Sequence, residues 1–275
     1  LVHEGTYPEA AVTVSVANVK VIAKNEGAAI REGANAVASA FIVTAASGVE
    51  INGFVIRNYT ADGIDVTTGS NHRIIGNTVI NAGGIGIDLT GGTGHLAWRN
   101  NVQNAGGAAG INVGSASSWI AQNVVTDNTG PGILLAGANN AAVGNVASEN
   151  DSYGISSTAA NHFIYGNTVT LNGTGGINVT STDAVLLRNQ VEKNTGNGIV
   201  IGGTNGILGG NDSEENTQAG ISVTSNFSSV QFNEMELNQN FGLSISGNEN
   251  TAFGNQFSGN QPTQISITGV DNNLF

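Results

Sequence analysis

The sequence predicts an all-β parallel solenoid, a rod of stacked coils, and three observations predict it. The chain has 275 residues, of which 40 are Gly and 38 are Asn. Both residue types are poor interior residues for helices and strands. Asn123, Asn145, Asn167, Asn189, Asn211, Asn233 and Asn255 follow one another at intervals of 22 residues. A second Asn trails each by five residues, from Asn128 to Asn260, and a Gly-Ile or Gly-Leu pair recurs from Gly132-Ile133 to Gly242-Leu243. Self-similarity at such a period points to a repeat architecture.

The composition agrees. A disordered chain combines low hydrophobicity with high charge, whereas this one is 39% hydrophobic and 10% charged. A helical bundle is excluded by the Gly and Asn content, which suits a fold with many tight turns. The chain reads as one domain over 1–275. Residues 1–52 form irregular N-terminal coils, 53–268 regular repeats and 269–275 a C-terminal tail. Going back from Asn123, the series continues through Asn101, Asn77 and Gly53.

Each repeat divides into two or three short strands. In Gly198-Ile199-Val200-Ile201 the two Ile share one face and Val200 takes the other, because strand side chains alternate. A further alternating segment runs from Ile164 through Asn167 to Val169. About twelve coils stacked at ~4.8 Å give a rod of roughly 55–60 Å, held by nearest-neighbour stacking. The phased Asn are structural: an amide at each turn donates to one coil and accepts from the next, forming a ladder.

The pattern G-N-x-V-x-x-N-x-x-x-G-I-x-V over about residues 50–270 resembles the right-handed parallel β-helix repeat family of the pectate-lyase-like superfamily. The opening stretch from Val2 to Val12, with Gly5-Thr6-Tyr7 and Glu9, is similar to the first coil of such proteins. The resemblance implies a right-handed parallel β-helix. It leaves activity open, since the family spans polysaccharide lyases, hydrolases and epimerases, phage tailspikes, metal-delivery proteins and non-catalytic surface proteins. With one Met and no Cys, copper delivery is poorly supported.

Charge narrows the partners. A net charge of −12 argues against nucleic acid, which needs a basic face, and against anionic membrane. No apolar run approaches the ~20 residues of a spanning helix. The chain starts at Leu and shows no signal peptide, which reads as a processed product. An acidic surface rich in hydroxyls and amides fits an extracellular, cell-surface or periplasmic protein.

Three outward constellations are candidates for chemistry. Asp65 and Asp88 occupy one phase of successive coils, with Asn112 continuing the row and Asp62 three residues before Asp65. Such carboxylates share a proton, flank a glycosidic bond or hold Ca²⁺. The fragment Asp62-Gly63-Ile64-Asp65 resembles the N-T-D-G-I-D motif of polygalacturonases. The double Asp of that family's next coil is here Ile87-Asp88, and its Arg-Ile-Lys motif has no counterpart. Arg73 or Arg99 would meet a uronate carboxylate or act as base. The second constellation is Asp212, Glu214, Glu234 and Glu236, with Glu192 in phase. Like charges opposed across strands destabilise, and Ca²⁺ would offset them; water, salt, Lys193 and Arg188 are the plainer remedy. The third is a stripe of hydroxyls through Thr158, Thr180 and Thr224, explained by β-propensity. Trp98, Trp119, Phe163 and Tyr165 read as packing residues or a sugar platform, and the His form no metal spacing.

Neither end shows a capping helix, so the open edges were either trimmed of caps or meet other subunits end to end. The reading that absorbs most of these features is an extracellular structural solenoid. It would associate with itself into a filament and bind glycan or Ca²⁺ as an accessory role. The alternative is a polysaccharide-active enzyme, a uronate lyase, hydrolase or epimerase, acting through Asp62, Asp65 and Asp88.

Overall fold

The computed structural model describes residues 1–8, 10–44 and 47–275, so Glu9 of the opening motif lies outside the described residues. The chain is all-β: three parallel sheets of twelve strands each, forming a right-handed parallel β-helix of twelve coils. Sheet 1 runs from strand Gly5–Tyr7 to Gln256–Ser258, sheet 2 from Val12–Val14 to Thr263–Ile267, and sheet 3 from Lys20–Ile22 to Asn273–Leu274. Each coil visits the sheets in that order. The segment expected to run unbroken from Ile164 to Val169 is two strands, Phe163–Tyr165 in sheet 3 and Thr168–Thr170 in sheet 1, split at Gly166-Asn167. Among the described residues no helix is long and apolar enough to cross a membrane.

The sheets differ in which face each residue takes. A strand of sheet 2, such as Ile199–Ile201, buries its two ends and turns its middle residue outward. Strands of sheets 1 and 3, such as Thr168–Thr170 and Val185–Leu187, bury the middle residue and turn both ends outward. Sheet 2 therefore presents a single outer file of side chains, and sheets 1 and 3 present double files. The inner files are Ile, Val and Leu stacked on their equivalents above and below, as at Ile133, Ile155, Ile177, Ile199 and Ile221.

The asparagine ladders join the coils at the turns. Asn167 Oδ1 accepts the Asn145 N–H at 2.9 Å, and its Nδ2 donates to Ala142 O and Asn189 Oδ1, both at 2.9 Å. The same bonds tie Asn123, Asn145, Asn189, Asn211, Asn233 and Asn255 into one column. The second column runs from Asn128 to Asn260. One phase needs correcting. The ladder residue before Asn123 is buried Asn100, which bonds Asn77 and Asn123, while Asn101 begins the next strand and is exposed. The two coils there are 23 residues long, not 22 and 24. Phe54, whose N–H donates to Asn77 Oδ1 at 3.1 Å, takes the place expected for Gly53.

The phased Gly of the Gly-Ile pairs answers a close approach. A Cβ on Gly154 would stand 2.2 Å from Val169 Cγ1 and 2.7 Å from Asn172 Nδ2. The residue before each first-ladder Asn is instead left-handed, as at Gly144 (φ 62°), Gln122 (φ 55°) and Arg188 (φ 54°). Such a conformation costs a non-glycine residue about 1 kcal/mol or more, which the bonded ladder turn offsets.

Candidate functional site

Asp65 and Asp88 lie at the middle of strands Ile64–Val66 and Ile87–Leu89 and are directly opposed in register. Their neighbours Ile64, Val66, Ile87 and Leu89 are fully buried, so alternation sends both carboxylates to the outer file of sheet 2. Asp62 sits in the turn just before Asp65, where its Oδ1 accepts the N–H of Ile85 at 2.6 Å. That approach needs Gly84, since a Cβ there would lie 2.4 Å from the same oxygen. One oxygen from each of the three carboxylates lies within 4.8 Å of the others, and all three groups are half-buried.

Asn112 follows Asp88 in the file and donates from Nδ2 to its Oδ1 at 2.8 Å. Its own Oδ1 is buried without a hydrogen-bond partner. Burial, opposed by the Asn112 bond and reinforced by Asp62 and Asp65, pushes Asp88 up to about 6. Burial also raises Asp65, with Asp62 adding to it, and raises Asp62 against the Ile85 bond. The trio thus resists carrying three full charges.

The donor set suits a hard divalent cation. Ca²⁺ takes oxygen ligands at 2.3–2.6 Å, so two of its ligands stand at most about 5.2 Å apart, and the trio lies within that limit. Asp62, Asp65 and Asp88 would hold the ion.

Arg73 stands apart from the trio. It begins a strand of sheet 3, and its Nε reaches Glu50 at 3.4 Å in the neighbouring coil. Arg99 follows a sheet 3 strand, its guanidinium 4.5 Å from the Trp98 ring and its Nε donating to Gln122. Arg57 bonds Glu32 at 2.6 Å. Among the described residues the ion pairs run Lys20–Glu50, Arg57–Glu32, Arg73–Glu50 and Lys193–Glu215, none of them at the trio.

The second constellation does form one outer patch, on sheet 1. Glu192, Glu214 and Glu236 are successive register partners, and Asp212 opposes Glu234. Burial first, then Asp212 beside it, pushes Glu214 up to about 7, and burial raises Asp212. Among the described residues, only Asp62, Asp65 and Asp88 form a group whose ligand oxygens converge within 4.8 Å. The hydroxyl stripe lies at the turn that follows sheet 2, where Thr158, Thr180 and Thr224 are exposed.

One feature escaped the sequence reading. His72 and His95, 23 residues apart, stack at 5.0 Å and form a third column with Ser118 and Asn140. His72 Nδ1 accepts the Val49 N–H, and His95 Nδ1 accepts the His72 N–H, so each ring carries its proton on Nε2. The spacing that matches Asn77–Asn100 was the available signal. The aromatics read as packing residues or a sugar platform lie on sheet 3, where Trp119 faces outward and is 54% exposed.

Three parallel sheets wound right-handed define the class, a parallel β-helix solenoid. The chain belongs to the family described as right handed beta helix region, which matches residues 39–191 and 159–275. No curated protein sequence matches. Among solved structures, the mannuronan C-5 epimerase AlgE4 A-module of Azotobacter vinelandii is similar at 15% identity and TM-score 0.77, over 99% of this chain and 90% of that one. The periplasmic alginate epimerase AlgG is similar at 15% identity and TM-score 0.59, over 94% and 78%. A mutant tailspike protein of E. coli bacteriophage HK620, in complex with hexasaccharide, is similar at 10% identity and TM-score 0.60, over 94% and 67%. At these identities the likeness is one of fold.

Proposed function

We propose that the protein acts on an acidic, uronate-containing polysaccharide at the outer file of sheet 2. The convergence of Asp62, Asp65 and Asp88 within 4.8 Å carries this reading. The three groups hold a divalent cation, Ca²⁺ by the hardness of the donors. A cation is also what an anionic substrate requires at this face, since the chain carries −12 and the arginines expected there are engaged elsewhere. Bound there, the ion would neutralise a uronate carboxylate and so acidify the adjacent C–H. Without the ion Asp88 is pushed up to about 6, and a bound cation would favour its ionised form, so the ion offsets the mutual repulsion of the trio. Structures named as epimerases and a tailspike with bound hexasaccharide share the fold, which supports action on a polysaccharide, epimerisation among the options, over a purely structural role. An extracellular, cell-surface or periplasmic location follows from such a substrate.

The test is a panel of uronate polysaccharides, polymannuronate first, incubated with and without Ca²⁺. New unsaturated ends or a changed uronate composition, lost on chelation and in Asp65→Asn/Asp88→Asn, is the expected result. Activity retained by that folded double variant would refute the assignment.

A second reading, a non-catalytic surface solenoid stacking end to end, is favoured by the constant 22-residue coil after Asn123, which raises no loops around a groove. Fibres in negative-stain micrographs, with no product from any polysaccharide, would support it over the first.

A further inference from the structure

The strand residues of the outer face of sheet 3 carry no charge over eight successive strands, from Leu96–Trp98 to Thr251–Phe253, with the Arg99 guanidinium over Trp98 at one end. One of its files runs in register through Leu96, Trp119, Ala141, Phe163, Val185 and Ile207. Trp119, Phe163 and Ile207 are 54%, 36% and 40% exposed. The other file adds Trp98, Tyr165 and Leu187, with the Phe163 and Tyr165 rings stacked at 5.7 Å. A continuous exposed apolar surface of this kind marks an interaction site.

We propose that two copies of the chain pair side by side and parallel through this face. Three observations select a second copy. The other two faces carry carboxylates, Asp65 and Asp88 on sheet 2 and the Glu214 patch on sheet 1, so a chain of charge −12 meets its like without repulsion only at sheet 3. Eight strands at ~4.8 Å, with their bordering turns, offer a surface of roughly 700 Å² per copy, close to the ~800 Å² per partner of a specific interface. One coil near the middle of the face carries opposite charges on its two edges. Asp183 and Arg188, both exposed, flank the single strand Val185–Leu187 on opposite edges of the face. A two-fold axis lying in the interface along the rods brings one edge of a coil over the other edge of its equivalent. Arg188 then faces Asp183 of the partner subunit, and the pair occurs twice, as an isologous interface requires. An antiparallel pair would set Arg188 on the partner's same edge, without this complement. Aliphatic Leu96, Val185, Leu187 and Ile207 offer a sugar no polar atom, which disfavours a glycan here. The pairing leaves the carboxylates of sheet 2 open.

Sedimentation velocity from about 1 to 100 µM tests this; a stable interface of standard size holds at these concentrations. The wild type is expected to be a dimer. Phe163→Arg and Ile207→Arg, at exposed positions, should be monomers with unchanged circular dichroism. Asp183→Arg or Arg188→Asp alone should each weaken the dimer about tenfold in Kd, and the two together should restore it. This charge exchange decides the matter if the face variants misfold. A monomeric wild type, a dimer indifferent to both face variants, or a charge exchange without rescue would each overturn the proposal. So would a monomer that binds a neutral oligosaccharide and loses it in Phe163→Arg.

Discussion

Asn100 and Asn101 are adjacent and chemically identical, yet they do opposite work. Asn100 Oδ1 accepts from Asn77 N–H at 3.0 Å, and its Nδ2 donates to Ile74 O at 2.8 Å. Asn100→Ala leaves these buried backbone groups without partners, at a cost of about 3–5 kcal/mol. Asn101→Ala removes an exposed side chain and should change stability by less than about 0.5 kcal/mol. Urea melts of the two variants check the ladder's phase; equal losses would contradict it. At the carboxylates, Asp88 is raised from its ordinary value to about 6. A raised carboxyl pKa destabilises the fold in full above about pH 6, and the cost fades as pH falls from there to the unfolded value of about 4. Asp88→Asn should therefore raise stability at pH 7.5 by about 1–2 kcal/mol, discounted for solvent screening. The gain should vanish near pH 4. Urea melts of both proteins across that range, in the absence of divalent cations, measure it.

At the scale of elements, the turn between sheets 2 and 3 carries the third column, where His72 and His95 serve as ladder residues. Burial lowers His95 below the ordinary histidine value, against the Gly91 bond and with His72 adding to the depression. The unfolded chain then binds the proton first. Stability is complete above about pH 6.5 and falls as pH drops through the window below it. Protonated Nδ1 would also confront the His72 N–H that it accepts at 3.2 Å. His95→Asn supplies the residue that Asn140 provides in the same column, and should flatten the fall in stability between pH 7 and 5 relative to wild type. An unchanged slope would remove His95 as its source. This column was hidden in the sequence because its residue type changes from coil to coil, from His95 to Ser118 to Asn140. The Asn columns were legible because one residue type recurs. The slip from Asn100 to Asn101 came from two Asn side by side, where spacing alone leaves the phase ambiguous and burial resolves it.

For the whole molecule, the number of coils and the direction of Asp65 and Asp88 were readable, since both follow from period and alternation. The division of labour among the faces was not. Whether a short strand turns one residue or two outward depends on which sheet it joins, so Trp119 and Phe163 could be core or surface until the coil was closed. The same closure placed Arg73 on sheet 3, away from the carboxylates. The rod thus has a carboxylate file on sheet 2, an acidic patch on sheet 1 and an uncharged face on sheet 3. The central claim is that the first of these takes an acidic polysaccharide through a cation. Calorimetric titration of polymannuronate into the protein at pH 7.5, in Ca²⁺ and again in chelator, tests it most directly. The account predicts binding in Ca²⁺ that disappears in chelator and in Asp65→Asn/Asp88→Asn. Equal binding in both conditions, or its persistence in the folded variant, would contradict it.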